Sequence, residues 1–329
     1  MGPTTANCCF AFLRGLNVVC RHTQARECGT TEYKNMGAFF GPKDWGTLLT
    51  AMLTPFHEDG SVNYSEAARL ANYLVDVQKN DGLVVNGTTG ESPTLTEAEK
   101  LKLLEVVLET VGDRAAVVFG AGSYNTAESI EMTREGEKRG AHGIMLVNPY
   151  YNRPGQQGLY AHFSTIAKET GLPVMLYNIM PRSAINLETP TLLRLAEIPN
   201  IVAVKEASGS IPQITDVCGQ APDGFRIYSG DDGLTLPILS LGGHGIVSVA
   251  GHVVGDRIKE MLNAFPSDPV KARKLHHELI PVYKALFSAP SPVPVKYATS
   301  LKGFDCESVR LPLVALTDAE KAVVSGALG

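Results

Sequence analysis

Short apolar runs alternate with longer amphipathic segments along the chain from Thr47 onward. The runs are rich in Val, Ile and Leu and nearly continuous in apolar character, which is typical of strands that are buried on both faces. Eight strands are predicted: Thr47–Thr54, Gly82–Gly87, Ala115–Gly120, Gly143–Val147, Val174–Asn178, Ile201–Lys205, Phe225–Ser229 and Gly245–Val249. Strands that alternate with helices in this way indicate βαβ units and a parallel sheet.

The segments between these strands have helical periodicity. In Glu97–Val111, leucines and valines recur three and four positions apart, after Thr96 as the predicted N-cap. Another helix is predicted to begin near Thr126. Eight strands with intervening helices can close into a barrel, whereas an open doubly wound sheet rarely has so many parallel strands. The predicted fold class is therefore α/β, a (β/α)₈ or TIM barrel with a C-terminal helical appendage.

The chain carries more helix after the eighth strand than a barrel requires. Further helical patterns lie at Lys271–Leu286, Val295–Leu301 and Thr317–Leu328, with proline-rich Pro290–Pro294 between the first two. We predict a barrel at residues 44–266 and a C-terminal helical region, packed on that barrel rather than forming a separate domain, at residues 267–329.

Residues 1–43 differ from the rest of the chain. They hold five Lys and Arg against two Glu, without clear periodicity. Because Arg14 interrupts the apolar stretch, a secretory signal is disfavoured. We predict a disordered N-terminal extension. The alternatives are an organelle transit peptide and a start site placed too early, with Met36 as the initiator.

The amino-acid composition of the chain disfavours several classes of protein. With 329 residues, 44% of them hydrophobic and 19% charged, the chain can bury a large core. The net charge of -5 disfavours nucleic-acid binding, and no uncharged apolar run is long enough to cross a membrane. The 6 cysteines form no CxxC pair, which favours reduced thiols, a cytoplasmic location and no metal site.

Polar residues gather directly after the predicted strands, where the active site of such a barrel is built. The clusters are Gly87–Ser92, Asn148–Pro154, Tyr177–Asn178, Lys205–Glu206 and Ser229–Asp232. Lys205 is the most informative member, because burial lowers the pKa of a lysine by up to several units from about 10.4. The neutral amine that results can attack a ketone carbonyl and form a Schiff base.

The alternative for Lys205 is a buried ion pair without chemistry. Glu206 is a poor partner, since adjacent strand residues point to opposite faces. Lys296 also follows an apolar run, but it lies beyond the eighth strand, and a structural role at the start of a helix is predicted for it.

Three other features could take part in a reaction at Lys205, although each also has a purely structural interpretation. The turn at Gly87–Ser92 offers amides and two hydroxyls for a carboxylate, although it could be a plain turn. Tyr177 could move protons during imine formation, although a buried tyrosine commonly has only a satisfied hydroxyl. Arg182 could pair with a substrate carboxylate, although most loop arginines are simply solvated.

Taken together, these segments resemble the dihydrodipicolinate synthase and N-acetylneuraminate lyase family, from about Trp45 to Gly329. The matching motifs are Gly-Thr-Thr-Gly-Glu-Ser at 87–92, Asn-Pro-Tyr-Tyr-Asn-Arg-Pro at 148–154, Leu-Tyr-Asn at 176–178, Lys-Glu-Ala-Ser-Gly at 205–209, Ser-Gly-Asp-Asp at 229–232 and Gly-Gly-His-Gly at 242–245.

The resemblance implies condensation of pyruvate with aspartate-4-semialdehyde to 4-hydroxy-tetrahydrodipicolinate, the entry to diaminopimelate and lysine synthesis. It implies that Lys205 forms the pyruvate imine and that Tyr177 transfers protons to and from the carbinolamine. Thr88 would relay protons between Tyr177 and Tyr151, which the family supplies from the neighbouring subunit. The family is typically a homotetramer of tight dimers, and no metal or organic cofactor is expected.

The resemblance also assigns substrate contacts. Thr88 and Thr89 would hold the pyruvate carboxylate, and Arg182 the carboxylate of the aldehyde. The backbone of Gly230 and of Val247 would line the pocket.

Two departures from the family pattern bear on function. In Asn178–Ala184 the proline is shifted relative to the usual order of proline, small residue, arginine, threonine and glycine. At positions that match the inhibitory lysine pocket of the family, Ser92, Glu128 and Tyr150 fit, whereas Glu97, Lys100 and Tyr124 depart. Because an added cation at Lys100 would repel the ammonium of lysine, weak or absent lysine inhibition is predicted.

Two competing functions remain at the level of sequence. A sister Schiff-base aldolase for a sugar acid or hydroxy-keto acid would share Lys205 and Tyr177, but would need hydroxyl-binding groups where Arg182 stands. A catalytically silent barrel used for binding should have lost Lys205, Tyr177 or Thr88, and all three are present.

Overall fold

The computed structural model describes residues 43–329, which form a barrel of eight parallel strands surrounded by helices. The strands are β1 (Leu48–Ala51), β2 (Gly82–Val85), β3 (Ala116–Gly120), β4 (Gly143–Val147), β5 (Val174–Asn178), β6 (Ile201–Glu206), β7 (Arg226–Ser229) and β8 (Gly245–Ser248). Each strand pairs with the next, and β8 pairs with β1 through Leu49 and Val247, which closes the sheet. The predicted fold class is confirmed. The predicted extension at residues 1–43 lies outside the described residues except for Lys43.

Helices cover the outside of the barrel and continue beyond β8. They are α1 (Tyr64–Asp76), α2 (Glu97–Val111), α3 (Thr126–Lys138), α4 (Gln156–Ala167), α5 (Met180–Ser183), α6 (Thr189–Ala196), α7 (Ile211–Gln220), α8 (Thr235–Ser240), α9 (Gly255–Ala264), α10 (Pro269–Ala285), α11 (Val293–Ser300) and α12 (Asp318–Leu328). In α2, Thr96 and Glu99 form a capping box, which explains why this helix begins where its sequence predicts.

The inside of the barrel is filled by side chains, so it is a packed core rather than a channel. Leu49, Val84, Val118, Met175 and Val247 are all fully buried there. At the N-terminal end Trp45 closes the barrel, and its Nε1 donates to the carbonyl of His142 at 3.2 Å. The C-terminal ends of the strands are therefore the open end of the barrel.

The C-terminal helices pack against one side of the barrel. Residues of α9 to α12, among them Ile258, Leu279, Val295 and Val324, share an apolar cluster with Leu48 of β1 and other barrel residues. Burial of these side chains removes a large apolar area from water and attaches α10 to α12 to the barrel.

The first two strands are shorter than predicted. The predicted strand Thr47–Thr54 ends at Ala51, because the amide of Leu53 donates to Nε2 of His252 at 3.1 Å instead of to a strand. The strand predicted at Gly82–Gly87 ends at Val85, since Asn86 takes a left-handed conformation with φ 59°. Both chain segments therefore leave the sheet before the site residues begin.

Candidate active site

A cavity of about 200 Å³ opens at the C-terminal ends of β2 to β5. Three predicted site residues line it, namely Thr88, Tyr177 and Arg182. Ser92 and Tyr150, which match the lysine pocket of the family, line the same cavity. The proposed substrate contacts and this second group of residues are therefore neighbours.

Lys205 lies near the end of β6 and is only 4% exposed. Its Nζ sits over the ring of Tyr177, 4.1 Å from the ring centroid, because the two residues are register partners on β5 and β6. Burial lowers the pKa of Lys205 to about 7, while the carboxylate of Asp232 opposes that shift. A large fraction of this amine is therefore neutral, and nucleophilic, near neutral pH.

Tyr177 has the opposite shift. Burial raises the pKa of its phenol to about 12, although Arg182 and a hydrogen bond with the Thr88 side chain both lower it. The phenol therefore keeps its proton at neutral pH and can donate it to a developing hydroxide. Thr88, half-buried at the cavity, shares a side-chain hydrogen bond with this phenol.

Glu206 points away from Lys205, as strand alternation predicts. Its carboxylate accepts from Nδ2 of Asn178 at 3.2 Å and from the amide of Ser208 at 2.7 Å. Nδ2 of Asn148 donates in turn to Oδ1 of Asn178 at 2.8 Å. This polar network joins the ends of β4, β5 and β6 on the face opposite the reacting groups, and burial raises the pKa of Glu206.

The turn at Gly87–Ser92 uses several of its amides internally. The amide of Gly90 donates to the carbonyl of Gly87 at 3.1 Å, and the amide of Glu91 to the carbonyl of Thr88 at 3.0 Å. A carboxylate bound here would therefore have to use the hydroxyls and amides of Thr88 and Thr89. Of these two residues, Thr89 is buried.

Gly230 and Val247 lie beside the lysine strand and inside the barrel, respectively. A Cβ at Gly230 would stand 2.7 Å from Cβ of Ala207 and 3.1 Å from Cε of Lys205. The absence of a side chain at Gly230 therefore leaves room for the side chain of Lys205. Val247 is fully buried on β8.

Arg182 lies on the one-turn helix α5, exposed at the rim of the cavity. Its Nη2 donates to the carbonyl of Ser291 at 3.4 Å. Ala184, directly after α5, has φ 58°, a left-handed conformation that glycine adopts more easily. The departure noted in this loop therefore leaves Arg182 at the cavity but imposes backbone strain nearby.

Tyr151 does not join the other predicted site residues within one chain. Its side chain is 92% exposed, and its φ of 71° is in the left-handed region. Tyr150 packs instead, edge-on against Tyr124 with ring centroids 5.2 Å apart.

Asp232 is a site residue that the sequence pattern did not single out. It is buried, its carboxylate interacts electrostatically with Lys205, and it accepts hydrogen bonds from the amides of Val249 and Ala250 at 3.1 and 3.3 Å and from the hydroxyl of Ser248. Burial raises its pKa to about 6. The motif at 229–232 contains two aspartates, and only the fold distinguishes the buried one from its neighbour.

Known proteins resemble this chain over nearly its whole described length. The profile of the Dihydrodipicolinate synthetase family matches residues 44–328. The chain belongs to this family. A 4-hydroxy-tetrahydrodipicolinate synthase of Moorella thermoacetica is 54% identical over 285 residues, covering 86% of this chain and 97% of the relative.

Solved structures of the family have the same fold as this chain. The crystal structure of dihydrodipicolinate synthase from Bacillus anthracis has 47% identity and a TM-score of 0.85, covering 87% of this chain and 98% of that one. The enzyme from Cyanidioschyzon merolae, solved with lysine bound, has 43% identity and a TM-score of 0.85, covering 86% and 97%. These relatives confirm the predicted family, the lyase class and, with them, the predicted synthase activity.

Between residues 43 and 329, no group of three or more His, Cys, Asp or Glu side chains is arranged to hold a metal ion. Within the same residues, no helix is both long and apolar enough to span a membrane.

Proposed function

We propose that this chain condenses pyruvate with aspartate-4-semialdehyde to give 4-hydroxy-tetrahydrodipicolinate, with Lys205 as the amine that forms the pyruvate imine. The observation that carries this assignment is the buried Lys205 against Tyr177, with pKa values of about 7 and about 12. A neutral amine and a protonated phenol are then present together at neutral pH.

The chemistry follows from these protonation states. Nζ of Lys205 attacks the keto carbon of pyruvate, and the carbonyl oxygen takes up a proton to give a carbinolamine. The phenol of Tyr177 donates a proton to the departing hydroxyl, so water leaves and the imine forms. Loss of a methyl proton gives the enamine, which attacks the aldehyde carbon of the second substrate. The aldehyde oxygen takes up a proton and becomes a hydroxyl group. The amino group of the second substrate then attacks the imine carbon, which closes the ring and expels Nζ of Lys205 as the free amine.

Thr88 passes protons to and from Tyr177, and Tyr151 of a second copy continues the relay to solvent. The exposed position of Tyr151 supports this, because an aromatic side chain 92% exposed on a left-handed residue is well placed to reach a neighbouring subunit. We further infer a homo-oligomer, a tetramer built from dimers, as the family resemblance implies. It functions in the cytoplasm, without a metal or an organic cofactor.

Substrate carboxylates are held by residues at the cavity. Thr88 and Thr89 bind the pyruvate carboxylate, and Arg182 binds the carboxylate of the aldehyde. Backbone atoms of Gly230 and Val247 border the pyruvate site. Arg182 separates this function from that of a sister aldolase for sugar acids, because a guanidinium at the rim suits an anionic aldehyde.

Borohydride reduction in the presence of pyruvate tests the central step. The intact mass should rise by one reduced pyruvate adduct, and peptide mapping should place it on Lys205. Lys296 is an internal control. It is the other lysine that follows an apolar run in the sequence, and it is fully buried in an ion pair with Glu91. An adduct on another lysine, or none, would end the assignment. A coupled assay with aspartate-4-semialdehyde then separates the synthase from the sister aldolase.

A further inference from the structure

Glu91 and Lys296 form a buried ion pair that joins the turn at Gly87–Ser92 to helix α11. The distance from Nζ of Lys296 to Oε1 of Glu91 is 2.6 Å, and the two side chains are 0% and 1% exposed. The sequence predicts a structural role for Lys296 at a helix start. The structure places it in the middle of α11, against the turn that carries Thr88 and Thr89.

Both charged groups of the pair also make contacts with other residues. Nζ of Lys296 also donates to the carbonyl of Ser308 and lies 4.2 Å from the centroid of the Phe56 ring. The second oxygen of Glu91 accepts from the amide of Arg310 at 3.1 Å. Removing one partner from such a pair leaves an unpaired buried charge, whereas removing both charges is often close to neutral for stability.

Glu91 holds a backbone conformation that glycine would adopt more easily. Its φ is 53° and its ψ 35°, in the left-handed region. Its amide donates to the carbonyl of Thr88 at 3.0 Å. The conformation of Glu91 is therefore coupled to the orientation of the peptide group that follows Thr88. Glu91 therefore combines a backbone conformation that its Cβ disfavours with a side chain fixed in a buried ion pair.

The start of α11 also contacts the other side of the cavity. Just before the helix, the carbonyl of Ser291 accepts from Nη2 of Arg182 at 3.4 Å. One C-terminal helix therefore adjoins the proposed contacts of both substrates. Its contact to Arg182 is a single backbone bond, whereas its contact to the turn is a buried ion pair.

We propose that Glu91 and Lys296 are positioning residues, which hold the turn in the conformation that presents Thr88 and Thr89 to the carboxylate of pyruvate. Through them, the C-terminal helical region determines the affinity of the site for its first substrate. This inference rests on the proposed roles of Lys205 and Thr88.

The test compares two double variants of the full-length chain, Glu91→Gln/Lys296→Met and Glu91→Gly/Lys296→Met. Both remove the two buried charges together, so both should fold, as the melting temperature will show. The measured quantity is the pyruvate concentration that gives half-maximal trapping of the Lys205 adduct. We expect it to rise at least about tenfold in the Gln variant, which corresponds to about 1.4 kcal/mol. The Gly variant should regain affinity, because glycine adopts the left-handed turn without the pair.

A matched control is Lys259→Met, which breaks the 2.6 Å pair with Asp81 at the N-terminal end of the barrel. It should lower the melting temperature without changing the pyruvate requirement. A folded Gln variant with the pyruvate requirement of the wild type would overturn the positioning role. Absence of the Lys205 adduct in the wild type would instead overturn the proposed function, so the two failures are distinct.

Discussion

Nζ of Lys205 lies 4.1 Å from the centre of the Tyr177 ring, across the β5 and β6 pair. The same burial acts on both groups but in opposite senses, since it disfavours the ammonium and the phenolate alike. It lowers the pKa of Lys205 to about 7 and raises that of Tyr177 to about 12. A nucleophile and a proton donor are thereby kept side by side over a wide range of pH.

The rate of imine formation should depend on pH through the titration of Lys205. With a pKa of about 7, the amine is about 10% neutral at pH 6 and about 90% neutral at pH 8. We expect the rate of adduct trapping at low pyruvate to rise about eightfold between pH 5.5 and 6.5 and to level off above pH 8. A rate that keeps rising to pH 10 would show that the lysine is not perturbed.

Replacing Asp232 should shift this pH profile in a known direction. Its carboxylate raises the pKa of Lys205, so the isosteric change Asp232→Asn should move the midpoint of the profile to lower pH. The same trapping assay measures the midpoint. An unchanged midpoint in a folded Asp232→Asn variant would contradict the electrostatic contact.

Removing the phenol of Tyr177 should slow proton transfer while leaving the lysine in place. For Tyr177→Phe we expect the turnover rate to fall by about 10² to 10⁴, the usual contribution of a positioned acid or base. Tyr228→Phe is the matched control, because its buried hydroxyl donates to the carbonyl of Gly46 at 2.8 Å, at the other end of the barrel. That variant should lose about 1 kcal/mol of stability and keep its turnover. Equal losses of turnover in both variants would refute the role of Tyr177.

The strands and the two reacting residues could be predicted because their signals are local. Each strand is a short apolar run, and Lys205 and Tyr177 are polar residues that interrupt such a run near its end. Strand alternation alone also predicts that Glu206 faces away from Lys205.

Other features could not be predicted, because they depend on partners far away in the sequence. The early end of β1 depends on the bond from Leu53 to His252, 199 positions later. The left-handed Glu91 is paired with Lys296, 205 positions later. Tyr151 would require a second chain altogether, since within one chain it is exposed to solvent.

Gly230→Ala should prevent imine formation by crowding the nucleophile. The added Cβ would stand 2.7 Å from Cβ of Ala207 and 3.1 Å from Cε and Cγ of Lys205, so side chain or backbone must shift. We expect a loss of about 1 to 3 kcal/mol of stability, as for other overpacked sites, and little adduct on Lys205. Gly219→Ala in α7, where nothing lies within 4 Å, is the control and should be neutral or slightly stabilising. Trapping at the wild-type rate in Gly230→Ala would contradict the crowding.

Ala184→Gly should stabilise the protein by relieving strain after α5. A left-handed conformation costs a residue with a Cβ about 1 to 2 kcal/mol, part of which is offset by the greater freedom of glycine in the unfolded chain. We expect a gain of about 0.5 to 1 kcal/mol in denaturant unfolding, with the pyruvate requirement unchanged. A destabilised variant would show that the Cβ of Ala184 makes a contact worth more than the strain.

Lysine should inhibit this enzyme weakly, because Lys100 places a cation near Glu97 and Glu128, at positions that match the inhibitory lysine pocket of the family. Lys100 is half-buried on α2; burial lowers its pKa, while the nearby carboxylates of Glu97 and Glu128 raise it. Its ammonium therefore neutralises the acidic groups that would otherwise attract the side chain of lysine. In Lys100→Met, we expect inhibition to appear or to strengthen at least about tenfold, which corresponds to about 1.4 kcal/mol of binding. Lys102→Met, on the exposed face of the same helix, controls for net charge. Inhibition of the wild type by sub-millimolar lysine would contradict the prediction.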